Sequence, residues 1–172
     1  MAEQLFNIPK ISLDNDVPFP NNGGKSRINL KSKDGTESYY IDIYRKYSKS
    51  NKIKISYTNI ARKRYILRRL DLHYGPPHRN PPKLPPLYDS HNSLINLLSR
   101  YVGKTIKGPH LHIYVEGYDD KWAVPIEEIE KLNISDKNII QITQEFLDYC
   151  KVVKAPNIKF PVNEVWIYVK FY

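Results

Sequence analysis

The sequence predicts an α+β fold: a twisted antiparallel β-sheet, built as a meander, with one or two helices packed on one face. Three features carry that expectation. Between Arg27 and Tyr74, apolar and polar residues alternate in successive runs separated by polar turns, which is the period of half-buried strands. Beyond Ser135 the period changes to that of a helix, with Ile139, Ile142, Phe146 and Cys150 on one face. The composition, 41% hydrophobic and 26% charged over 172 residues, is that of a folded chain long enough to bury one core.

Taken in order, residues 1–24 have no helical period, contain three prolines and end in Gly23-Gly24, so an extended N-terminal arm is expected, with one short strand at residues 10–13. Residues 25–172 are expected to form the single domain. Residues 27–32 and 37–47 read as strands joined through Asp34-Gly35, a pair favoured in tight hairpins. A third strand is expected at residues 52–58 and a fourth at 65–74. The stretch 75–87 holds six prolines, which remove donors and fix torsions, so it is expected to be a semi-rigid loop. Leu94, Leu97, Leu98 and Tyr101 predict a short amphipathic helix within residues 89–102. Residues 109–115 and 122–125 read as a hairpin turning at Gly117. Ser135 is the expected N-cap of the C-terminal helix, residues 151–161 a loop, and 162–172 a closing strand.

Charge is uneven. Residues 1–107 carry 20 Lys+Arg against 8 Asp+Glu, and residues 108–172 carry 7 against 10, within a formal total of +9. A basic half with many of the chain's 14 tyrosines suits phosphate or an acidic protein surface. The single cysteine, Cys150, excludes an internal disulfide framework and fits a buried inert thiol in a reducing compartment. No apolar run approaches the roughly 20 residues needed to cross a bilayer. A cytoplasmic protein without membrane partners is therefore expected.

Four of the five histidines, His73, His78, His110 and His112, fall in two blocks that each run from a strand into a turn. Strand alternation places Arg69, Asp71 and His73 on one face and His110, His112 and Glu116 on another. If both strands share a sheet, these faces merge. Two imidazoles and a guanidinium over a basic sheet suit RNA cleavage, one ring taking the 2′-hydroxyl proton and the other protonating the leaving oxygen. His73, His110 and His112 are then the acid/base candidates and Arg69 the phosphate ligand, with Lys52, Lys54, Arg62, Lys63, Arg64 and Arg68 as nucleic-acid contacts. Two histidines two apart can also hold zinc with His73 or Glu116 completing the set, although no cofactor is expected. A third use is recognition without catalysis. The structural alternative is that His110 and His112 bond turn backbone and Asp71 or Glu116, holding the proline-rich loop to the sheet.

Three segments carry a resemblance: IPKISLDNDVPFP at 8–20, YILRRLDLHYGPPHRNP at 65–81 and PHLHIYVEGYDDKWAVPI at 109–126. Together they resemble an uncharacterised bacterial and phage family, a domain of unknown function with a GPPHxNP and PHxHIYxEGYxDKWA signature. Where that family continues with Asp-Gly and a short hairpin, this chain has Pro81-Pro82. The resemblance supplies no activity. It implies a role in phage or mobile-element conflict, either as a toxin-like endoribonuclease with a cognate antitoxin or as an anti-CRISPR-like inhibitor of a host nuclease or nucleoprotein. Whether the chain is an enzyme stays open at this point.

Overall fold

A computed structural model describes residues 1–47, 53–73, 77–85 and 93–161. The first part of the chain forms helix α1 (Ala2–Asn7) and strands β1 (Lys10–Ser12), β2 (Asp16–Pro18), β3 (Lys25–Ser32), β4 (Ser38–Tyr47), β5 (Ile53–Ala61) and β6 (Tyr65–His73). Strand β7 (His78–Arg79), helix α2 (Ser93–Ser99) and strand β8 (Thr105–Ile106) follow. Then come β9 (His110–Val115), β10 (Asp119–Pro125), helix α3 (Ile139–Tyr149), β11 (Val152–Lys154) and β12 (Asn157–Lys159). Eight strands make one sheet in the order β10-β9-β6-β5-β4-β3-β1-β11, antiparallel except for the β1–β11 edge pair. The α+β architecture expected from the period change is the one observed, and β3 to β6 form the meander.

The sheet has two unlike faces. On one, Ile28, Leu30, Ile41, Ile43, Ile55, Leu70 and Leu111 are almost fully buried. Helix α3 covers that face with Ile139, Ile142, Phe146 and Leu147, each worth about 1.5–3 kcal/mol when removed from water. A 2.8 Å hydrogen bond between Tyr57 Oη and Thr143 Oγ1 fixes the helix to the middle of the sheet. Asn138 begins α3 with a reciprocal capping box to Gln141. The helix therefore starts three residues later than a Ser135 cap would place it, because Asp136 takes a left-handed turn conformation with φ of 56°. Cys150 is sealed beneath this helix, and burial pushes its thiol up to about 12.

Residues 1–24 are not an extended arm. Helix α1 buries Ala2, Leu5 and Phe6, and Arg68 reaches it from β6, donating to Glu3 Oε2 at 2.6 Å with its guanidinium 4.0 Å from the Phe6 ring centroid. Lys10 is fully buried and donates to the carbonyls of Phe6, Ile8 and Cys150 at 2.8, 2.8 and 3.0 Å. One ammonium thus joins the C-terminal ends of α1 and α3, where the helix dipoles favour a cation. Residues 151–161, expected as loop, contribute β11 to the edge of the main sheet and β12 to a small parallel pair with β2. The expected strand over 162–172 lies outside the described residues.

The opposite face is covered only in part. Asn80 donates to the carbonyls of Ala123 and Tyr101 and accepts from the Ala123 amide, fastening the β7–α2–β8 segment over β9 and β10. Over β3, β4 and β5 no described element packs on this side, and Tyr40 and Tyr44 are half-buried there while Lys25, Arg27, Lys46 and Lys54 are exposed.

Candidate functional site

Strand register assembles the site. Asp71 of β6 stands opposite His110 of β9, and Arg69 opposite His112, all four on the partly covered face. The rows run on across the meander: Lys25, Tyr44, Ser56, Asp71 and His110 form one, and Arg27, Asp42, Thr58, Arg69 and His112 the next. Alternation within two separate strands was enough to predict this grouping, because antiparallel neighbours keep side chains of one parity on one side.

Backbone carbonyls fix all three visible imidazoles. His110 Nδ1 lies 2.7 Å from Gly108 O, His112 Nδ1 2.8 Å from Asp120 O, and His78 Nε2 2.9 Å from Lys121 O. A carbonyl only accepts, so each of these nitrogens carries the proton. The Nε2 atoms of His110 and His112 face Asp71 Oδ2 at 3.7 and 3.4 Å. Arg69 donates from Nη2 to His112 Nε2 at 2.8 Å and from Nε to Asp71 Oδ2 at 3.2 Å, and its Nη1 bonds the Asp120 carboxylate. His78 packs on both rings, with centroids 4.5 Å from His112 and 5.9 Å from His110.

The cluster is deep. His110 is 3% exposed, His112 1% and Asp71 5%, while the Arg69 side chain keeps 28% of its surface. Arg69 and the half-buried His78 are therefore the way in. Burial alone would raise the Asp71 carboxyl, but the His112 contact and the Arg69 charge outweigh it and hold Asp71 well below the ordinary carboxylate range. Burial, then the neighbouring His112 and Arg69, lower His78.

Other candidates separate. The side chain of His73 and the whole of Lys52 lie outside the described residues, although the His73 backbone pairs opposite Lys54. Lys54, Lys63 and Arg64 are exposed. Arg62 is exposed too but is committed to Glu37 through Nε at 2.8 Å. Arg68 points to the covered face and is buried by α1, which removes it from any phosphate-contacting surface. The carboxylate that joins the histidines is Asp71; Glu116 is exposed in the turn beyond β9. Of the bonds to turn backbone expected under the structural alternative, that of His110 to Gly108 is present, while His112 bonds the backbone of Asp120 in β10. Asp120 and Asn80 went unforeseen, since Asp120 follows Gly117 where a turn was expected, although it lies in β10, and an asparagine in a proline-rich stretch carries no periodic signal.

Residues 1–152 match a family described as a family of unknown function, DUF6978. The chain belongs to that family. No curated protein and no solved structure matches it. For this DUF6978 member the match takes in α1, the whole meander, the histidine cluster and α3. No described helix is long and apolar enough to cross a membrane.

Proposed function

We propose that this protein binds single-stranded nucleic acid, RNA first among the candidates, across the open face of β3, β4 and β5. The observation that carries the reading is the pairing on that face. Tyr40 and Tyr44 lie half-exposed beside Lys46 and Lys54, and the only carboxylate among the described residues of β3 to β5, Asp42, is already paired with Lys25 and Arg27 at 2.7 Å each. Lys46 and Lys54 stand directly opposite each other in register. Like charges so placed destabilise a sheet, and a phosphate between them relieves the repulsion. Arg27 stacks on Tyr40 at 3.8 Å, which extends a flat π surface for bases. The histidines take no acid/base role in this reading, because rings 3% and 1% exposed offer no substrate access.

Fluorescence anisotropy with a labelled oligouridine tests it. Binding is expected to weaken steeply with salt through counterion release. Tyr44→Ala, and separately the pair Lys46→Glu and Lys54→Glu, should each weaken binding by about tenfold or more. Variants that bind like wild type would overturn the assignment. Cleavage of the oligonucleotide that disappears in His112→Ala would return the histidines to catalysis, and capture of a host nuclease without salt dependence would favour the inhibitor alternative; either overturns the reading.

A further inference from the structure

We propose that Asp71, His110 and His112 form a binding site for a divalent first-row transition metal ion, zinc foremost. The site is separate from the nucleic-acid reading and does not depend on it. One ligand atom from each residue lies within 4.8 Å of the others, and Asp71 Oδ2 is 3.4 Å from His112 Nε2 and 3.7 Å from His110 Nε2. Donors about 2.0–2.2 Å from a tetrahedral zinc are separated by distances of this order. Little movement is needed to close them on an ion.

The tautomers are already chosen. Gly108 O and Asp120 O hold the Nδ1 protons of His110 and His112, so in the neutral rings the lone pairs are on the Nε2 atoms that face Asp71. A metal-ligating histidine is oriented in this way by the hydrogen bond at its other nitrogen. Asp71 supplies charge in a place where a bare carboxylate is costly, and its Oδ1 is buried with no hydrogen-bond partner. Two imidazoles and one carboxylate leave further coordination positions open, a donor set suited to zinc or iron(II) and foreign to calcium or magnesium.

Arg69 competes with an ion for the same ligand atoms. Its guanidinium donates to His112 Nε2 and Asp71 Oδ2, so one cation occupies ground that another would take. Because Nη1 is held by Asp120, the side chain has an alternative anchor when the ion enters. The metal displaces a pair of hydrogen bonds and leaves the fold intact.

Calorimetric titration of chelator-dialysed, full-length protein with zinc chloride tests the site. One ion per chain is expected, with a rise in Tm. Asp71→Asn and His112→Gln should weaken binding by about 100-fold or more. Asp119→Asn at the start of β10 should not, and Arg69→Gln should bind at least as tightly as wild type. Absence of saturable binding, equal affinity in both ligand variants, or weaker binding by Arg69→Gln would overturn the proposal. Should the ligand variants not fold, imidazole nitrogen spectra of wild type decide it. Zinc must perturb the Nε2 resonances of His110 and His112; unperturbed resonances overturn the site.

Discussion

Asp71 and His78 make the histidine cluster sensitive to acid in two separate ranges. Burial, His112 and Arg69 lower His78 below the ordinary imidazole value of 6.5, so the unfolded chain binds that proton more readily than the native one. Stability is therefore full above pH 6.5 and declines as pH falls through the lowered native value. Asp71 has the same sign by a different route. Its carboxyl is depressed in the fold, so its contribution is complete above the ordinary 3.8 and is lost only as pH falls from there toward its native value. Thermal melts across this range should show a decline beginning near pH 6.5 in wild type and absent from His78→Gln. Identical profiles for the two proteins would mean that His78 is not coupled to the cluster.

At the scale of elements, the covered face depends on how α1 is tied down. Lys10→Met would leave the carbonyls of Phe6, Ile8 and Cys150 without their donor. Each buried orphan costs about 1–3 kcal/mol, partly recovered by methionine packing, so a loss of about 2–4 kcal/mol is expected in urea unfolding. A loss below about 0.5 kcal/mol, the range of a neutral surface substitution, would contradict the clamp. Beyond the short strand expected at residues 10–13, which is β1, the sequence did not announce this arrangement. AEQLFN is too short to display a helical period, and strands of three residues such as β11 and β12 carry no alternation; their pairing is set by chain that is far away in sequence. The long strands β3 to β6 and helix α3 could be read because each repeats its period several times. The grouping of Arg69, Asp71, His110 and His112 followed from that same period. Their burial did not: the spacing of Leu94, Leu97 and Leu98 announced α2, but Asn80, which fastens the β7–α2–β8 segment over the cluster, has no repeating pattern around it.

For the molecule as a whole, the division of labour between the two sheet faces is the main result. One face is filled by α1 and α3. The other is closed over β9 and β10, where the imidazoles lie, and open over β3 to β5, where tyrosines and lysines alternate with small polar residues. Asp42, Glu37 and Glu3 are taken up by Lys25 with Arg27, by Arg62 and by Arg68, so Lys46 and Lys54, which stand opposite each other on this face, matter more than the formal +9. Ultraviolet cross-linking of the full chain to a single-stranded oligouridine, followed by peptide mapping, tests the central claim most directly. Cross-links on Tyr40 or Tyr44 of β4, lost on addition of salt, are the predicted result. Cross-links confined to α3, or none above those of an unrelated basic protein, would contradict it.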